Sequence, residues 1–201
     1  MADIDEQRPV TCRVDVIDLP ALEAIAFKHS WLRMIGVTGS GYSRLFHLKL
    51  NVPAYAWRKE DTTPSLQSGP WNLSVVLSRG VAVQPQVQVT GNDGYLPASA
   101  NISDWWAVRG AFPGLVCWAE RWCASHYTLG WVVYQSAMLV TGQALSLEAA
   151  PLSERGRDWQ AGALKRGLLP SHRITRPADR WLLLRESEPA ELKQDGIEFD
   201  D

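Results

Sequence analysis

The chain has 201 residues, 46% hydrophobic and 21% charged, with a formal net charge of −2. That length suits one well-buried core and leaves two full domains crowded. The composition is that of a globular chain, and three cysteines without a tight spacing exclude a disulfide framework.

The charge is unevenly placed. The last sixteen residues, ESEPAELKQDGIEFDD, carry −6 and the first eight carry −2, which leaves residues 9–185 at +6. Residues 1–185 therefore read as a single globular domain. Residues 186–201 read as an acidic, disordered tail, with Leu192, Ile197 and Phe199 as its main apolar groups. The polar, acidic start MADIDEQRP lacks the pattern of a signal peptide. With the cysteine count, it points to a cytoplasmic protein with no membrane attachment.

Taken in chain order, TCRVDVID (Thr11 to Asp18) alternates as a half-buried strand. DLPALEAIAFKHS then reads as a helix, with Pro20 in the first turn and Leu22, Ile25 and Ala26 as its apolar stripe. GVTGSGYS (Gly36 to Ser43) comes within one residue of a phosphate-binding loop, with Tyr42 in place of the lysine. In such a loop a helix follows the last glycine, whereas here Phe46, Leu48, Leu50 and Val52 recur with period two. The stretch is expected to be a hairpin turn between strands.

Residues 53–71, PAYAWRKEDTTPSLQSGPW, read as a long functional loop. NLSVVLS and VAVQPQVQVT read as two strands, the second pushed to a sheet edge by Pro85, and GNDG as a turn. In the second half, Ser103 is expected to cap a short helix through Trp105 and Trp106. A longer helix is expected from Pro113 to about His126, with Leu115, Trp118 and Trp122 on one face. LGWVVYQSAMLV (Leu129 to Val140) is the longest apolar stretch; it is too short to cross a bilayer and reads as a buried strand. A helix over Ser153 to Arg166, with Trp159 and Leu164 inward, and a last strand RWLLLRE complete the order. The expected fold class is α+β, a mostly antiparallel sheet with two to four helices, a ferredoxin-like core with additions being one solution.

The catalytic candidate is Cys123 with His126, three residues apart on one expected helix face. No orienting Asp or Asn stands near them, so the weight falls on a protein that is not an enzyme. Cys117 and the histidines at 29, 47, 126 and 172 show no ligand spacing, so neither a metal nor a cofactor is expected. Ten tryptophans are spread along the chain, and the adjacent Trp105 and Trp106 cannot both face inward on a regular element. From Lys165 to Arg185 six cations stand against one acid, Asp179, in a segment broken by Pro170 and Pro177.

Arginine forks hold carboxylates or phosphates, and Trp and Arg are the residue types enriched at interface hot spots. The expected partner-binding residues are Trp57, Arg58, Lys165, Arg166, Arg173, Arg176 and Arg180, with Trp57, Arg173 and Arg176 exposed. The leading reading is an interaction module, such as an inhibitor, adaptor or assembly subunit, with a protein partner. The alternative is a nucleic-acid-binding protein with a basic core surface and acidic tail, although +6 is a modest charge for that role.

Overall fold

The computed structural model describes residues 22–40, 43–78, 84–106, 112–118, 128–143 and 151–168. The expected strand at residues 11–18, the Cys123/His126 pair, the arginines at 173, 176 and 180, the strand RWLLLRE and the acidic tail lie outside these residues. Within them the protein is α+β: three helices and eight antiparallel strands in two sheets. In the larger sheet the strands lie in ascending chain order, with the hairpin of the smaller sheet inserted between its second and third members. The interleaved order of a ferredoxin-like core is not seen among the described strands.

Helix α1 (residues 22–28) buries Leu22 and Ile25, as the stripe requires. Strands β1 (Leu32–Ser40) and β2 (Ser43–Leu50) form the expected hairpin, closed by the pair Ser40 and Ser43. Ser43 begins a strand and not a helix, so no helix N-terminus is there to hold phosphates. The register shifts between Met34 and Gly36. This bulge leaves Ile35 outward, 52% exposed, and returns Val37 to a position opposite the buried Phe46.

The region expected to be a loop carries a second hairpin. Strands β3 (Ala54–Trp57) and β4 (Ser65–Gln67) pair antiparallel. Next come β5 (Trp71–Leu77), β6 (Gln86–Thr90), the short β7 (Leu96–Pro97) and β8 (Leu115–Val116). The large sheet runs β1-β2-β5-β6-β8, and the small one β4-β3-β7. Pro85 precedes β6 instead of interrupting it, and β6 lies inside the sheet between β5 and β8. GNDG is a turn as expected, a 3-10 element with Asp93 at φ 54°.

Two expectations in the second half are corrected. Pro113 does not begin a helix: Gly114 has φ +83° and its carbonyl accepts from Val89 N at 2.8 Å, which turns the chain into β8. Ser103 caps no helix either. Its hydroxyl accepts from Leu115 N at 2.8 Å and donates to the Phe112 carbonyl, and residues 105–106 form a turn.

LGWVVYQSAMLV is helix α2 (Leu129–Val140), not a strand. Thr128 caps it, accepting from Trp131 N at 3.1 Å. Ser136 donates to the Val132 carbonyl at 2.7 Å, which satisfies a hydroxyl inside an apolar helix. The helix is buried on nearly every side, so it shows no amphipathic period by which to tell it from a buried strand. Helix α3 (Glu154–Lys165) forms where expected, capped by Ser153. Among the described residues no helix is long and apolar enough to cross a membrane.

The core follows from the pairing. Phe46, Leu48 and Leu50 stand opposite Val75, Leu73 and Trp71, and Val75 and Leu73 stand opposite Val87 and Val89. All are buried, and they close into one cluster with Leu22, Ile25 and the apolar residues of α2. Trp71 Nε1 donates to the Val52 carbonyl at 2.8 Å, which lets an indole sit fully inside.

Candidate functional site

Residues of β3 alternate between two destinations. Ala54 and Ala56 enter the main core, while Tyr55 and Trp57 turn to the other face. Leu66 stands opposite Tyr55 and Leu96 opposite Trp57, so these four side chains share one side of the small sheet. Helix α3 crosses that side. Arg155 and Trp159 are four apart, hence on one helix face, and Tyr55 and Trp57 are two apart on one strand face. The two spacings are close enough for each helix residue to meet its own ring on the strand. The Arg155 guanidinium lies 4.2 Å from the Trp57 ring centroid, and the Trp159 and Tyr55 rings are 5.4 Å apart.

The resulting ladder of rings and cations continues in both directions. At one end Arg155 also lies 5.2 Å from the Trp106 ring, which meets Trp105 edge-on at 5.9 Å. At the other, Arg166 lies 5.3 Å from the Trp159 ring, and its Nε donates to the Gly162 carbonyl at 3.2 Å. Desolvated cation–π contacts of this kind are worth about 2 kcal/mol, and exposed ones about 0.5–1 kcal/mol.

The segment before the ladder pins α3 in place. Asp104, 4% exposed, accepts from Ser153 Oγ at 2.6 Å and from Trp106 N at 2.9 Å. Ser153 Oγ in turn accepts from Gly156 N at 2.8 Å. One buried carboxylate thereby ties the cap of α3 to the turn that carries Trp106. Gln160 Oε1 accepts from Ala100 N at 2.7 Å. Gly156 lies against the Ser99 carbonyl so closely that an added Cβ would overlap it. Trp57 Nε1 and Gln160 Nε2 are buried donors with no hydrogen-bond partner among the described residues, a cost of about 1–3 kcal/mol each.

A tight turn closes the edge. Arg58 N donates to Asp61 Oδ2 at 2.8 Å, Arg58 Nη2 lies 3.5 Å from Asp61 Oδ1, and Arg58 Nε lies 3.2 Å from Glu60 Oε1. The Arg58 guanidinium also lies 5.4 Å from the Tyr95 ring. The Arg58 backbone N–H holds the Asp61 carboxyl below the ordinary Asp range, helped by the charges of Arg58 and Arg155 and opposed by partial desolvation. The Asp61 carbonyl accepts from Arg155 Nη2.

Measured against the sequence expectations, the site is partly redrawn. Trp57 is 2% exposed, not open to solvent, because Arg155 covers the ring that its polar flanking sequence makes look like surface. Arg58 is at the site with its side chain 43% exposed. Lys165 and Arg166 are exposed in the last turn of α3, where positive charge also suits the helix dipole. Arg173, Arg176 and Arg180 lie outside the described residues. Leu164 is 42% exposed; the buried face of α3 is Gly156, Gln160 and Ala163.

The adjacent tryptophans divide as expected, with Trp106 54% exposed and Trp105 half-buried. Arg155, Asp61 and Tyr95 were missed. Their one legible signal was the Arg155–Trp159 spacing on an expected helix. His29 lies against Trp31, and His47 lies beside Thr38 at 3.4 Å. Among the described residues no group of three or more His, Cys, Asp or Glu is placed to hold a metal ion. No family model, curated protein or solved structure matches the chain.

Proposed function

We propose that the protein is a non-enzymatic interaction module that docks a protein partner on the Trp106–Arg155 end of the ladder. The observation that carries this reading is the position of Trp106. It is more than half exposed, yet its backbone is tied to Asp104 and its ring is held beside Arg155 and Trp105. A large aromatic fixed before binding loses little rotamer freedom when a partner covers it, which is how tryptophans become hot spots. Arg155, with one N–H on the Asp61 carbonyl, keeps further guanidinium donors for a partner beside Trp106. The odd cysteine count supports a reducing, cytoplasmic setting.

The nucleic-acid reading has less support at this surface. Glu60 and Asp61 stand beside Arg58, and a run of phosphates would meet their charge. Immobilised wild-type protein and Trp106→Ala are compared for what they retain from cell extract across a salt series. Loss of a retained protein in the variant, with little dependence on salt, is the expected result. Retained nucleic acid that falls off steeply with salt would favour the alternative. Equal retention by the two proteins would remove Trp106 from the docking surface.

A further inference from the structure

Arg155 is half-buried, stacked on Trp57 and flanked by Trp106. Among the described residues no carboxylate forms an ion pair with it, and its hydrogen-bond acceptor is the Asp61 carbonyl. A guanidinium carries five N–H donors in a rigid fork, so one carbonyl uses only part of it. Placing a cation partly out of water with no carboxylate in direct contact, only the nearby charge of Asp61, does little for a fold that an apolar residue of like size would not do better. The stacking instead fixes the plane of the fork, which suits bidentate capture of a carboxylate.

Beside Arg155 one large apolar side chain is open to solvent. Trp106 is 54% exposed. The hydrogen bond from Ser103 to the Phe112 carbonyl brings Phe112, 77% exposed, next to the segment that carries Trp106. The acids at the Arg58 turn, Glu60 and Asp61, admit one partner charge more readily than an extended array of them.

Resting on the docking surface proposed above, we infer that the partner presents a single carboxylate, from an Asp or Glu, beside an aromatic or aliphatic side chain. The carboxylate takes the open donors of Arg155, and the apolar group seats on Trp106.

A random peptide library displayed on phage, panned on the immobilised full-length protein and counter-selected on Trp106→Ala, supplies probes for the test. Selected peptides are synthesised, each with its acid and with Asn or Gln in that place. Their affinities are measured for wild type and for Arg155→Met, which keeps an apolar stem over Trp57. The expected result is an Asp or Glu next to an apolar residue in the selected peptides. The amide version should bind wild type about tenfold or more weakly, and that difference should vanish in Arg155→Met.

Peptides that depend on Trp106 but tolerate the amide swap would overturn the carboxylate inference alone. A swap penalty that persists in Arg155→Met would also overturn it, by placing the acid elsewhere. Failure to recover any Trp106-dependent peptide would overturn the docking surface, and this inference with it. The amide swap leaves the protein untouched, so it decides the question even if Arg155→Met folds poorly.

Discussion

In the large sheet the inward residues of β2, β5 and β6 are aliphatic or aromatic and close into one cluster with α1 and α2, whereas the small sheet meets α3 through tryptophans, a tyrosine and arginines. Among the described residues the large cluster draws on β1, β2, β3, β5, β6 and β8 and on helices α1 and α2, while the small one has Trp57, Leu96 and Ala98 fully inside, ringed by Tyr55, Trp105 and Trp159. The first surface is one that a chain builds to stay folded. The second spends its largest side chains at the boundary with solvent. Non-directional burial needs no guanidinium over an indole, so in the proposed reading the large sheet serves stability alone, while the small layer both holds α3 and presents Trp106.

The comparison can be broken most forcefully from the large sheet. Leu73 stands between Leu48 and Val89 and is 1% exposed. Leu73→Ala is expected to cost about 2–5 kcal/mol, read as a fall in denaturation midpoint with unchanged slope. A smaller cost would mean that the large sheet is less tightly packed than its burial implies. Gly156→Ala comes next, because its methyl overlaps the Ser99 carbonyl; a loss of about 1–3 kcal/mol is expected by thermal melt. Asp104→Ala removes the acceptor shared by Ser153 and Trp106 and should cost about 1–3 kcal/mol. It should also loosen Trp106, read as a shift and sharpening of its indole N–H resonance, assigned by the loss of that peak in Trp106→Ala.

The smallest effect sharpens the comparison at its edge. The Asp61 carboxyl titrates below the ordinary Asp range, chiefly because it accepts from Arg58 N. A depressed carboxyl contributes stability that is complete above the unfolded Asp value of about 3.9 and is lost as pH falls through the folded one. Wild type should therefore lose slightly more stability than Asp61→Asn between about pH 5 and pH 3. Parallel pH profiles for the two proteins would remove Asp61 from the account of the turn.

How much of this was legible depends on whether a local pattern survived to the surface of the fold. The β1–β2 hairpin was readable because Phe46, Leu48 and Leu50 face a core that leaves His47 and Lys49 half-exposed on the other side. Helix α3 was readable through the Ser153 cap and the charge on its outer face. Helix α2 was not, since burial on almost every side erases the period that separates helix from strand. Strand β3 was hidden for a different reason: AYAW puts two small alanines inward and lies in a polar neighbourhood. The burial of Trp57 was illegible locally because its cover, Arg155, comes from a helix far along the chain. Tryptophan and arginine are legible as residue types in the sequence, and Arg58 lies at the edge of the ladder, but the assembly of the ladder is tertiary.

The separation of stability from recognition is tested most directly by the melting temperature of Trp106→Ala set against that of Trp57→Ala. Trp57 is 2% exposed and Trp106 is 54% exposed, although both touch Arg155. Truncating a buried tryptophan costs about 3–5 kcal/mol, and at this chain length each kcal/mol moves the melt by about 2–4 °C. Trp57→Ala is expected to fall by roughly 10 °C on that scale, while Trp106→Ala, which loses one exposed cation–π contact and one edge-on ring contact, falls by less than half as much. An equal fall in the two variants would contradict the account, because Trp106 would then belong to the fold and not to a surface held ready for a partner.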